Sequence, residues 1–226
     1  MFQYVFSISV QSLTNVKSCT IIYMLYDYRQ TVAKRNVKEM KKPDRRTLYT
    51  KMVIKDAFLE LSKTVPYNAI SISDICRVAE ISRSTFYIHY GNVRDVLGEV
   101  IDDALQNVGN LMQQFSQQKE EPDSCNIPLC VAIRSQEKYH SIFLDESLSS
   151  ILIEKISGAF YGELYTLLKK DSTLSDDELK TLSFFQLSGC FAVCRRNLKV
   201  ENDEWSEKKC LLDRFIGGGI KALTKR

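Results

Sequence analysis

Glycine and proline are scarce in this chain, with 9 and 4 among 226 residues. An all-β sandwich or barrel turns roughly every 8–12 residues and draws on both, so the shortage argues against that class and suits a helical one. Histidine is scarcer still, with two in the whole chain. There is no Gly-rich phosphate loop, no GxSxG elbow and no spacing of metal ligands, and two histidines leave few options for Ser–His catalysis. An enzyme is therefore not expected, nor a bound metal or organic cofactor. No apolar run approaches the ~20 residues of a membrane span. The segment "CTIIYMLYDY" (Cys19–Tyr28) is too short and ends polar, and the opening "MFQYVFSISVQSL" lacks the basic start of a signal peptide. The chain is expected to stay in the cytoplasm, with no membrane partner. Seven cysteines, odd in number and irregularly spaced, fit a reducing compartment. Cys190 and Cys194 stand four apart with no histidine beside them and read as small buried hydrophobes, as do Cys125 and Cys130.

What the chain does have is an ordinary globular share of apolar (44%) and charged (26%) residues, enough for one large domain or two small ones. Its formal charge of +3 is unevenly spread. Residues 40–94 hold ten Lys and Arg against five Asp and Glu, whereas 95–226 hold sixteen against twenty-one. A basic module on a mildly acidic body suits a phosphate-backbone partner, although many solvated surfaces are basic too.

The organisation follows from apolar spacing. Residues 1–39 show no sustained helical period and lead to a second methionine, Met40. They read as an N-terminal extension, either upstream of the native start or poorly ordered; a genuine helix or strand pair is the alternative. A first helix follows Pro43 and Asp44, with Leu48, Ile54, Ala57, Phe58 and Leu61 on one face, and stops near Pro66. A second starts at Ser71, which with Asp74 makes a capping-box pair, and a third at Ser82. Asn92 caps a long fourth helix reaching about Gln118. Further helices are expected over 128–144 with a break near Ser135, and over 147–170, 176–198 and 205–224. The triplet Gly217–Gly219 is expected to end or kink the last one. No strand signal competes and no repeat is present. The expected class is all-α: a three-helix unit over 40–91, then a larger helical bundle over 92–226.

Two short helices joined by a tight turn, the second with a polar outer face, form a helix-turn-helix. In "RSTFYIHY", at ~100° per residue, Phe86 and Tyr90 share the inward face. Ser84, Tyr87 and Ile88 then point away, with Thr85 and His89 on a flank and Arg83 reaching past the first turn. That outward set has a chemical logic. Arg83 can pair bidentately with guanine, Ile88 can meet a thymine methyl, and Tyr87 and His89 can donate to phosphates. The start of the second helix, near Ser71–Ser73, offers free N–H groups to another phosphate. Periodicity alone leaves a generic three-helix unit without DNA function equally open.

The stretch "ISISDICRVAEISRSTFYIHYGNVRDVLGEV" resembles the N-terminal DNA-binding region of the TetR/AcrR family of bacterial transcriptional regulators. The matched features are the Ser-capped "ISDIC" helix, the "ISRSTFYIHY" recognition helix and the long helix after it. The resemblance covers about Arg45 to Leu105; beyond it, "SFFQLSGCFAVCRRNL" and "WSEKKCLLDRFIGGGI" resemble the closing helices of a Firmicutes-type subgroup. It implies a double-stranded DNA operator as partner, contacted by Arg83, Ser84, Thr85, Tyr87 and His89; Lys51, Ser71, Ser73, Ser82 and Ile88 complete the expected DNA-binding set. There are departures. Glu80 stands where the turn usually has Gly, Pro66 where Gly is common, and Val93 where Lys is frequent, with Arg94 beside it.

The resemblance further implies a homodimeric repressor released by a small-molecule effector. The last two helices are the expected dimer surface, through Phe184, Leu187, Ser188, Phe191, Leu211 and Phe215; the alternative is that Phe184, Phe185, Leu187 and Phe191 are core. Phe143, Tyr161 and Tyr165 are the candidates for an effector pocket, with the same proviso for aromatics at helical spacing. The competing reading is an interaction protein of the same fold, a coactivator working through a protein partner. A continuous positive face including Lys51 and Arg83 favours DNA; a neutral recognition face with a large exposed apolar patch favours the partner.

Overall fold

The structure, a computed structural model, describes residues 44–117, 129–169 and 172–224. The proposed extension over 1–39, the Met40 start and Cys125 lie outside the described residues. Among the described residues there is no strand, and nine α-helices account for the fold. They are α1 (Arg45–Ser62), α2 (Ile72–Val78), α3 (Arg83–His89), α4 (Val93–Gln117), α5 (Leu129–Arg134), α6 (His140–Leu144), α7 (Ser149–Lys169), α8 (Asp176–Arg196) and α9 (Asn202–Thr224). No described helix is long and apolar enough to cross a membrane.

The expected caps form. Ser71 Oγ accepts the Asp74 N–H at 3.2 Å while the Asp74 carboxylate accepts the Ser71 N–H, a reciprocal box that starts α2. Ser82 Oγ accepts the Thr85 N–H at 3.0 Å and starts α3. Asn92 and Asp95 exchange the same kind of bonds at the head of α4. Gly91 lies tight against this cap: its N–H donates to Asp95 Oδ2 at 2.9 Å, and a Cβ there would sit 3.1 Å from that oxygen. Ser175 and Glu178 repeat the box at α8.

Ile54, Ala57, Phe58 and Leu59 bury one face of α1 against α2, α3 and α4. Phe86 and Tyr90 close the underside of α3. Val96, Val100, Ala104 and Val108 continue along α4, which also packs on α5 and α7, so a single core runs from Ile54 to Leu198. Phe58 and Phe86 are fully buried, and truncating either to Ala costs about 3–5 kcal/mol.

Two expectations are corrected and one is refined. The Gly217–Gly219 triplet neither ends nor breaks α9, which runs through it to Thr224. The segment over 128–144 is two helices joined by a 3₁₀ turn at Glu137–Tyr139, with Ser135 at the break as expected. In α8, Leu187 and Phe191 belong to the buried stripe of Leu179, Ser183 and Cys194, because these recur every three or four residues and face α7 and α5. The two are core, with Phe191 edge-on to Phe143 at 6.3 Å between ring centroids, and they are not surface groups for a second copy.

Candidate nucleic-acid interface

The turn between α2 and α3 sets the geometry of the candidate interface. Ala79 N–H makes the last helical bond, to Ile75 C=O at 2.8 Å, and Ile81 N–H closes on Cys76 C=O at 3.0 Å, the six-to-one bond of a Schellman-type helix end. That pattern needs a left-handed residue between them, and Glu80 takes it with φ 53°, unique among described non-glycine residues. The chain then reverses at once into α3.

On α3 the inward and outward residues separate as periodicity requires. Phe86 and Tyr90 are buried; Ser82, Arg83 and Ser84 are exposed, Thr85 and His89 half-buried. Tyr87 is 57% and Ile88 77% exposed, large values for apolar side chains. Tyr87 stands edge-on to Phe86, with ring centroids 5.8 Å apart. Arg83 reaches back across the turn and donates to Ser73 Oγ, so it ties the first turn of α3 to the start of α2. Ser82 Oγ lies 2.7 Å from Ser84 Oγ and 2.8 Å from Thr85 Oγ1, a small hydroxyl cluster at the helix mouth. Ser71 Oγ is committed to Asp74 on both its donor and acceptor sides.

Lys51 does not join this set. It turns inward, donating to Glu99 Oε1 at 2.5 Å and lying 5.0 Å from the centre of the Tyr90 ring. A positive face that would favour DNA therefore lacks Lys51: α1 presents it to α4, where an acidic partner and an aromatic face outcompete solvent. Tyr90 O–H donates to the other Glu99 oxygen at 2.8 Å. Burial and this bond push the Tyr90 hydroxyl pKa well up. For Glu99, burial raises the carboxyl pKa, but the bonds from Lys51 and Tyr90 outweigh it and hold the group below its ordinary value.

Asn68 was not among the expected contacts. With Tyr67, Ile70, Asn92, Val93 and Arg94 it lines an open cleft of about 470 Å³ at the start of α4. Arg94 is exposed there. The grouping joins two segments more than twenty residues apart in the chain, so no local motif signals it.

Elsewhere the site expectations separate. Phe184, Leu211 and Phe215 are exposed, and Phe185 joins them. Ser188 is half-buried, with a hydroxyl that meets no partner in the structure. Of the pocket candidates, Phe143 is core, while the rings of Tyr161 and Tyr165 lie tilted at 42° with centroids 5.6 Å apart, and the Tyr165 hydroxyl donates to Asp176 Oδ1 at 2.9 Å.

The described residues are all-α, with a capped helix-turn-helix ahead of a helical bundle. Comparison with known proteins agrees. The chain is 42% identical over 62 residues to the uncharacterized HTH-type transcriptional regulator YxbF of Bacillus subtilis (strain 168), covering 27% of this chain and 16% of that one. It is 33% identical over 58 residues to DhaS, the HTH-type dhaKLM operon transcriptional activator of Lactococcus lactis subsp. lactis (strain IL1403), covering 26% and 31%. The matched stretches thus span less than a third of either relative. A solved structure of the dihydroxyacetone kinase operon activator DhaS superposes with TM-score 0.54 at 18% identity, over 79% of this chain and 99% of that one, and shares the fold. The TetR family repressor AlkX from Dietzia sp. strain DQ12-45-1b superposes with TM-score 0.47 at 12% identity, over 76% and 98%. No family model matches the chain. The curated relatives that the matched stretch resembles are both named as HTH-type transcriptional regulators.

Proposed function

We propose that the chain is a sequence-specific DNA-binding transcription regulator that acts as a homodimeric repressor and is released by a small-molecule effector. The observation that carries the reading is the outward face of α3. Ile88 and Tyr87 stand in solvent beside Arg83, Ser84 and the Ser82 hydroxyl cluster, and none of them is needed by the core. Such a set makes sense against a major groove, where Arg83 pairs with a guanine edge, Ile88 meets a thymine methyl, and Tyr87 and His89 hold phosphates. Arg94, at the first turn of α4, supplies a further phosphate contact in place of Lys51.

In this reading residues 45–91 are the DNA-reading head and 92–224 the regulatory body, with α4 common to both. Two heads address two half-sites, so the protein pairs through its body, by the exposed Phe184, Phe185, Leu211 and Phe215 on α8 and α9. An effector must prefer one arrangement of the heads, since equal affinity shifts nothing. The clamp of Lys51 and Tyr90 on Glu99 makes α3 follow α4, so a tilt of α4 moves the recognition face with it.

The test selects duplexes from a random library with the full chain. The best duplex is then titrated across a salt series, beside an Arg83→Ala, Tyr87→Ala variant. Tight binding that is lost in the variant and weakens with salt is the expected result. The recovered site before a reporter gene then reads the sign, with repression expected. A second reading, a coactivator acting through a protein partner, draws on the inward turn of Lys51 and the apolar set on α8 and α9. It predicts weak binding, equal on all sequences and unchanged in the variant.

A further inference from the structure

Gly217, Gly218 and Gly219 lie within α9, yet the helix continues past them. Each glycine in a helix interior costs about 1 kcal/mol relative to alanine, so an unbroken helix through three of them needs a compensating reason. Close packing is not that reason at Gly218 or Gly219, because a Cβ at either would meet nothing within 4 Å. What Gly219 does border is a cleft of about 360 Å³ walled by α7, α8 and α9, with Leu164, Leu168, Phe185, Gln186 and Phe215 among its lining. The lining is apolar but for Gln186. Its amide nitrogen donates one N–H to Cys190 Sγ at 3.0 Å, which fixes the amide beside the cleft with a second N–H and a carbonyl oxygen as its other polar groups.

We propose that this cleft, kept open by the missing side chain of Gly219, binds an uncharged, mainly apolar small molecule that carries one hydrogen-bonding group, such as a hydroxyl, for Gln186. The volume suits this occupant. It lies within the range of small-molecule sites, roughly 300–1,000 Å³, whereas a helix about 10–12 Å across with its side chains does not enter it. A charged ligand is disfavoured, since no cationic or anionic side chain lines the cleft. Phe185 and Phe215 form its rim and also belong to the proposed dimer face, so an occupant there alters how two copies meet. In that respect the inference rests on the regulatory reading and names the effector's site and chemical class.

The experiment follows the Leu and Ile methyl resonances of the full chain while straight-chain 1-alkanols from hexanol to decanol are added, each in the presence and absence of the selected DNA. Saturable shifts at Leu164, Leu168, Ile216 and Ile220 are expected, with affinity rising about fourfold per added methylene until the cleft is full. Gly219→Leu should abolish the shifts, and it leaves the fold intact because leucine is a better helix former than glycine. Gln186→Met should weaken binding about three- to tenfold. Shifts that never saturate, that survive Gly219→Leu, or that track protein concentration instead of alkanol overturn the proposal; the last would mean that a second copy closes the cleft. DNA release separates the two readings. Alkanol binding with DNA retained upholds the cleft and removes its regulatory link, while a chain that binds alkanol but no DNA fails only the DNA reading.

Discussion

Tyr90 O–H donates to Glu99 Oε2 at 2.8 Å, joining the residue that ends the recognition helix to the second turn of the helix after it. The same carboxylate takes Lys51 from α1, so one acidic side chain holds three helices. Tyr90→Phe removes only the hydroxyl. It is expected to cost about 1 kcal/mol, less than a fully buried bond to a charged group because Glu99 is partly solvated. A cycle with Glu99→Gln, read by urea denaturation, should show non-additive losses, since the two groups share one bond. Strict additivity would mean that the clamp carries no energy.

Glu80 holds a left-handed conformation that L-residues adopt at about 1–2 kcal/mol. Glu80→Gly is therefore expected to raise the thermal midpoint, by a net stabilisation of about 0.5–1 kcal/mol once the extra chain entropy of glycine is subtracted. An unchanged or lowered midpoint would show that the turn has already relaxed around glutamate.

Acid should weaken the contacts that Asp145 and Glu99 make. Asp145 accepts the Tyr67 N–H at 3.1 Å, just ahead of α2. Burial raises its carboxyl pKa, but bonds from Ser147 and the Tyr67 amide, with Arg195 nearby, outweigh this and hold it below its ordinary 3.8. Glu99 is held below 4.5 in the same way. Both folded values are depressed, so the stability these groups contribute is complete above the ordinary values and is lost as pH falls through the folded ones. Thermal midpoints taken from about pH 6 down to pH 3 should drop more steeply in the wild type than in a Glu99→Gln, Asp145→Asn variant.

Phe184 and Phe215 are exposed, at 48% and 70%, whereas Leu187 is buried. Phe184→Glu with Phe215→Glu should leave the unfolding free energy within about 0.5 kcal/mol when monomeric, yet weaken self-association by about thirtyfold or more in sedimentation equilibrium. Leu187→Ala should do the reverse, costing about 2–5 kcal/mol of stability through the cavity it opens. Equal effects of the two changes on association would place the interface elsewhere.

The helix starts at Ser71, Ser82 and Asn92, the inward turn of Phe86 and Tyr90 and the outward turn of Ser84, Tyr87 and Ile88 are all legible in the sequence. Each depends on side chains within four residues of one another, where capping chemistry and the 3.6-residue period leave little choice. Lys51 illustrates the opposite case. Nothing near it in the chain announces Glu99, which lies 48 residues away, and so a lysine expected at phosphate stands in a clamp.

By itself, then, the sequence determined the helical class, the helix-turn-helix and the composition of its reading face, because those follow from local hydrogen bonding and periodicity. The tertiary structure alone decided which apolar stripe of α8 meets α7, and so why Leu187 and Phe191 are core while Phe184 and Phe185 remain outside. It also decided that α9 passes through three glycines beside an open cleft. These outcomes depend on where separate helices meet, and a helix period states that a face is apolar without stating what covers it.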